Sequence, residues 1–179
     1  LLEVMRLAPS SFGLQPWKFI VVKDMKLREE IKKAAYGQPK VTEASHLIVF
    51  TAKTNITKEY VEDYVKFVAH TRKVDVSSLD SLRGMLLGAI NKSPEQMKAW
   101  NQRQLYISLG MVLEAAALKG IDAAPMEGFN PMEVDKILDL EKEGFASTAL
   151  LALGYRSSED AVAQLNKVRF TRDKVVEFR

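Results

Sequence analysis

SPEQMKAWNQRQLYISLGMVLEAAALKG, residues 93–120, is the stretch on which the fold turns. Ser93 can cap a helix and Pro94 suits its first position, so the segment opens with a strong start signal. Gly120 marks its end. From Leu105 to Leu118 the chain is apolar except at Ser108, Gly110 and Glu114. A helix that is apolar nearly all round is central and buried, not a surface helix. It is also shorter than the ~20 residues that a bilayer crossing needs, so no membrane partner is expected.

Upstream of this helix the pattern alternates between short strands and longer helices. Leu1 to Ala8 reads as the end of a helix, followed by a turn, Pro9-Ser10-Ser11-Phe12-Gly13. WKFIVV, residues 17–22, and LIVFTA, residues 47–52, are rich in β-branched and aromatic residues and read as strands. Between them, Lys26 to Tyr36 is an amphipathic helix stopped by Gly37 and Pro39. Lys58 to Lys73 and Leu79 to Ile90 read as two more helices. Downstream, Ile121 to Asn130 is a loop or short strand, Pro131 to Leu140 a short helix, and ASTALLAL, residues 146–153, a strand. Long helices and few strands without a βαβ rhythm point to an α+β layer architecture in a single domain, 1–179. Neither a Gly-x-Gly-x-x-Gly turn nor a Gly-Lys-Ser/Thr loop is present, so a Rossmann site and a P-loop have no support.

Composition narrows the chemistry. With no cysteine among 179 residues, a disulfide framework, a thiolate metal site and a cysteine nucleophile are excluded. His46 and His70 are too few for a histidine-rich metal site, and no metal is expected. The net charge of +3 permits an anionic ligand without arguing for nucleic acid. From Arg156 onward the chain turns polar, and this tail carries six of the basic residues against four acids. No leader pattern opens the chain, which suggests a cytoplasmic protein.

Four clusters can carry chemistry. Pro9, Ser10, Ser11 and Gly13, ahead of Gln15-Pro16-Trp17, place two hydroxyls in a turn; a capped turn is the plainer reading. Gln38 offers a donor and an acceptor on one amide and Lys40 a point charge, which together suit a planar heterocycle with imide edges. Pro125-Met126-Glu127-Gly128 bracket a rigid turn where a flat ligand can approach the main chain. Lys167 and Arg169 fall on one side of an extended segment and can clamp a phosphate. Taken singly, the Gln38–Lys40 and Lys167–Arg169 pairs read as solvated surface, and Met85 and Leu86 as part of an apolar helix face.

Taken together and in this order, the clusters resemble the FMN-dependent nitroreductase family, in particular its oxygen-insensitive NAD(P)H nitroreductase branch. The resemblance also uses Glu43-Ala44-Ser45-His46 before a strand, and Trp100, Arg103-Gln104 and Tyr106 on the long helix. It spans essentially the whole chain. It implies a three-layer α+β sandwich with a mixed, mainly antiparallel sheet, a homodimer built on the long central helix, and C-terminal arms (156–179) exchanged between subunits. FMN would lie in the dimer interface. Pro9, Ser10 and Ser11 would meet it from the partner chain, and Gln38 and Lys40 would bind its pyrimidine edge. Pro125, Met126, Glu127 and Gly128 would lie along it near N5, and Lys167 and Arg169 would hold its phosphate. Met85 or Leu86 would line the substrate pocket.

The family commonly has asparagine where Gly13 stands, which implies one lost polar contact. It also commonly begins with an N-terminal helix and a phosphate-gripping Arg-Ser motif, which come before the part of the family pattern that Leu1 opens. The implied activity is ping-pong transfer of hydride from NAD(P)H through flavin N5 to nitroaromatics, quinones or related acceptors. No catalytic side chain is required. Two alternatives stand beside it. One is a relative with dehalogenating or flavin-fragmenting chemistry, against which the absence of a lid insertion counts. The other is a non-catalytic or regulatory FMN-binding protein of the same fold.

Overall fold

Strand β2 (His46–Lys53) is the middle of the molecule, and its alternation organises everything around it. In the computed structural model, which describes residues 1–179, β2 pairs with β1 (Trp17–Val22) on one side and β4 (Phe145–Gly154) on the other. The short β3 (Asp122–Met126) adds to the far edge of β4, giving the order β1-β2-β4-β3. Every pairing is antiparallel. The parallel component allowed for in a mixed sheet is therefore not formed within this chain.

Both faces of the sheet are covered, because the central strands are apolar at successive positions. Leu47, Val49, Leu150 and Ala152 point to one side, where they pack with Ile31 and Ala34 of α2 (Met25–Ala34) and Val134 of α7 (Pro131–Ile137). Ile48, Phe50, Leu151 and Leu153 point to the other, against Leu105, Leu109, Val112 and Ala116 of α6 (Pro94–Leu118) and Met5 of α1 (Leu2–Arg6). The result is helix, sheet, helix: the three-layer sandwich that the family resemblance implied. A third cluster joins Val61 and Val65 of α4 (Lys58–Arg72), Leu86 of α5 (Asp80–Ala89) and Met97 of α6. A single-turn α3 (Lys40–Glu43) links α2 to β2.

One irregularity reshapes the sheet. Phe50 pairs with Ala149 but Thr51 with Ser147, so Thr148 is an extra residue in β4. Such a bulge flips the faces beyond it. Ala149 faces α6, while the hydroxyl of Ser147 turns to α7 and donates to Pro131 O at 3.3 Å.

Helix α6 is held by its polar residues as well as its apolar ones. Ser93 and Gln96 form a reciprocal capping box at its start. Asn101, Gln104 and Ser108 are buried at helical spacing, and each reaches a different part of the chain. The Asn101 amide donates to Lys53 O at 2.7 Å, Gln104 Oε1 accepts from Ser11 N at 2.8 Å, and Ser108 Oγ donates to Met5 O at 3.2 Å.

Beyond β4, Arg156 is fastened to Asp122 through its backbone N–H and its guanidinium. The following residues, including a short α8 (Arg172–Val175), are exposed except at half-buried Ala163 and form only local hydrogen bonds. Apolar side chains such as Leu165, Phe170 and Phe178 are therefore left in solvent. No helix is long and apolar enough to cross a membrane.

Candidate functional site

The first cluster forms a strained and heavily braced turn. Phe12 (φ 56) and Gln15 (φ 47) both occupy the left-handed region, with Gly13 (φ 71) between them. Non-glycine residues there cost of order 1–2 kcal/mol each and persist only where the surroundings enforce them. Here Tyr60 donates to Leu14 O at 2.7 Å, Tyr64 to Phe12 O at 2.9 Å, and the Gln15 amide to Arg6 O at 3.0 Å. Burial raises the pKa of both Tyr60 and Tyr64, keeping them as donors. Ser10 Oγ accepts from Gln15 N at 2.9 Å. The Ser10 and Ser11 hydroxyl protons are left free for an outside acceptor.

This geometry adds to the reading of Gly13. The absent asparagine is more than a lost contact: a Cβ at Gly13 would lie 2.5 Å from the Tyr64 hydroxyl, on a backbone that already disfavours L side chains.

The second and third clusters come together. The Gln38 amide nitrogen donates to Gly128 O at 2.7 Å and to Ala35 O at 3.2 Å, joining segments 90 residues apart. Two carbonyl acceptors fix the orientation of the amide, so Oε1 is presented as an unoccupied acceptor. Two residues further on, Lys40 is exposed in the first turn of α3.

The Pro125–Gly128 segment borders a groove of about 500 Å³ between α6 and β3, with Tyr106, Gly110 and Leu113 on the helix side and Pro125, Met126 and Glu127 on the strand side. The Tyr106 hydroxyl donates to the Glu127 carboxylate across it. Partial burial, reinforced by that carboxylate, pushes the Tyr106 phenol well above the ordinary tyrosine range, so it remains a donor.

Other expected site residues stand apart. Lys167 and Arg169 lie on the exposed tail, and the Arg169 guanidinium donates only to Val168 O, at 2.7 Å. Leu86 is fully buried in the cluster between α4 and α6, so it belongs to the core and not to a pocket wall. Its neighbour Met85, one helical step round, is 53% exposed and is the one of the pair able to meet a ligand. His46 is a hydrogen-bonded residue at the rim of an apolar cavity of about 310 Å³, with Nδ1 3.2 Å from Ser45 Oγ. No cluster of metal-ligating side chains exists.

The sequence reading did not assign roles to three residues. Gln104 orients Ser11, and Tyr106 contacts Glu127. Arg28 is buried and donates to Val22 O, Ala44 O and Ser45 O at 2.9, 2.7 and 3.1 Å, fixing the loop after α3. The polar stripe on α6 is a signal for Gln104 but not for Tyr106, which lies on the other side of that helix. For Arg28 the signal was a charged residue on the inner stripe of an amphipathic helix.

A three-layer α+β sandwich, with a strained serine turn and an amide-latched turn beside a groove on its longest helix, defines the class of protein. Residues 1–155 match the nitroreductase family, and the chain belongs to it. A Staphylococcus aureus protein provisionally named an NAD(P)H nitroreductase is 36% identical over 99% of this chain and 82% of its own length. A Bacillus subtilis crystal structure, provisionally described as a nitroreductase, superposes with a TM-score of 0.87 at 24% identity, covering 99% of this chain and 84% of that one. One from Exiguobacterium sibiricum, similarly described and in complex with FMN, gives 0.81 at 19% identity, covering 99% and 83%. These support an oxidoreductase.

Proposed function

We propose that the chain is an FMN-dependent oxidoreductase that uses NAD(P)H to reduce nitroaromatics, quinones or related acceptors. The observation that carries this reading is the Gln38–Gly128 hydrogen bond, which unites an imide-reading amide with a main-chain turn suited to a flat ring. FMN supplies the redox chemistry when bound, taking hydride from NAD(P)H and passing it to the acceptor in alternate half-reactions.

The residues present fit that group. Gln38 Oε1 is an acceptor with no partner in the chain and suits an imide N–H. Lys40 adds a fixed positive charge, which stabilises an electron-rich ring system. Gly128 has no side chain, and even a Cβ would meet only the Gln38 amide, at 3.6 Å, so the main chain stays approachable from outside. Pro125, Met126 and Glu127 complete that edge. Lys167 and Arg169 supply two cations for a phosphate.

A second copy of the chain completes the site. On α6, Tyr106, Ile107 and Met111 are 38 to 42% exposed, an apolar face that a partner would cover. The tail after Arg156 has exposed apolar residues that meet only other residues of the tail, as where Arg172 lies over the Phe178 ring. In such a homodimer Pro9, Ser10 and Ser11 reach the flavin of the partner, and Met85 borders the acceptor.

The test is anaerobic. Protein loaded with FMN should show a yellow flavin spectrum that NADH or NADPH bleaches and a nitroaromatic or quinone restores. A bound flavin that neither nucleotide reduces would overturn the enzyme reading in favour of a binding protein.

A further inference from the structure

We propose that Tyr106 is a positioning residue that acts on the flavin site through Glu127, from the opposite wall of the groove. The inference rests on the flavin-site reading above and goes further, because that reading places Tyr106 only on the face a partner covers and gives it no part in the flavin site.

The Glu127–Gly128 turn is held from two sides. Gln38, on the loop between α2 and α3, takes Gly128 O. Tyr106, on α6, takes the Glu127 carboxylate. The two latches come from opposite layers of the sandwich, so the turn cannot shift toward one without breaking from the other. Two backbone bonds continue the anchoring: Phe129 N donates to Glu127 O at 2.9 Å, and Asn130 N to Ala34 O at 2.8 Å.

The second consequence is electrostatic. Glu127 is an exposed acid on the edge assigned to the ring. An unscreened carboxylate there opposes the negative charge that reduction adds. A phenol donating to it withdraws part of that charge without adding a cation. The raised pKa of the phenol keeps it a donor under working conditions.

The experiment compares FMN-loaded wild type, Tyr106→Phe, Glu127→Gln and the double variant. Tyr106→Phe should weaken FMN binding roughly tenfold, as expected for loss of one hydrogen bond to a charged group. It should also shift the flavin midpoint potential to more negative values. Glu127→Gln keeps an acceptor and removes the charge, so it should shift the potential to more positive values. In the Glu127→Gln background, Tyr106→Phe should change the potential little, because its target charge is gone.

A readout without flavin accompanies these. In the apoprotein, hydrogen exchange at Phe129 and Asn130 should be faster in Tyr106→Phe. Strictly additive shifts in the double variant, or a Tyr106→Phe potential equal to wild type, would overturn the proposal. A wild type that binds no FMN would instead overturn the underlying site reading, and unchanged exchange in apo Tyr106→Phe would then overturn the latch separately.

Discussion

Replacing Gly13 by alanine tests whether the serine turn is held as described. Two costs arise from the structure. Alanine at φ +71 is strained by ~1–2 kcal/mol relative to glycine. Its Cβ would also lie 2.5 Å from the Tyr64 hydroxyl, which must swing away and give up its 2.9 Å bond to Phe12 O. A lost hydrogen bond of this kind costs ~1 kcal/mol. The sum is a destabilisation of about 2–3 kcal/mol, or roughly 5–10 °C in Tm for a domain of this size. Urea unfolding followed by circular dichroism measures it. The two causes separate in a double variant. Tyr64→Phe alone should cost ~1 kcal/mol, and Gly13→Ala with Tyr64→Phe should cost about the same as Gly13→Ala alone, since the clash and the lost bond involve the same hydroxyl. A Gly13→Ala protein within ~0.5 kcal/mol of wild type, the range of ordinary surface substitutions, would refute the reasoning. So would full additivity in the double variant.

Further outcomes follow from buried residues. Arg28→Met leaves three main-chain carbonyls without their donor while removing a buried charge, and should cost about 3 kcal/mol in urea unfolding. Leu86→Ala should cost ~2–5 kcal/mol as a core truncation, and leave the KM for acceptors unchanged in whatever protein remains folded. Met85→Ala should do the reverse, with stability within ~0.5 kcal/mol and a changed KM across a panel of nitroaromatics and quinones.

Much of the architecture could be read locally. WKFIVV coincides with β1, and the capping signals at Ser93 and Pro94 locate the start of α6. These features depend on side-chain periodicity and on caps, both of which are properties of neighbouring residues. The bulge at Thr148 could not be read this way, because ASTALLAL gives no sign that one residue lacks a partner across the sheet. The exclusion of Leu86 from the pocket was hidden for a related reason. Met85 and Leu86 are equivalent by hydropathy, and only the packing of α4 and α6 against α5 distinguishes them.

The site divides similarly. Ser10, Ser11, Gln38 and Glu127 could be picked out as residue types suited to a polar flat ligand. Their joining could not, since it depends on bonds such as Gln38 to Gly128 and Ser11 to Gln104, across 90 and 93 residues. Gly13 was legible as a turn residue, but its reason lies in a tyrosine of a helix more than one element away. Arg28 could be placed on the inner stripe of its helix, but the three carbonyls that its guanidinium serves could not.

Titration of FMN fluorescence with the purified protein tests the central claim most directly. Saturable quenching at one FMN per chain is predicted, with affinity lowered roughly tenfold or more in Gln38→Ala, which loses the acceptor for the ring and the latch on Gly128. FMN that stays fully fluorescent with the wild-type protein, or is quenched equally by Gln38→Ala, would contradict it.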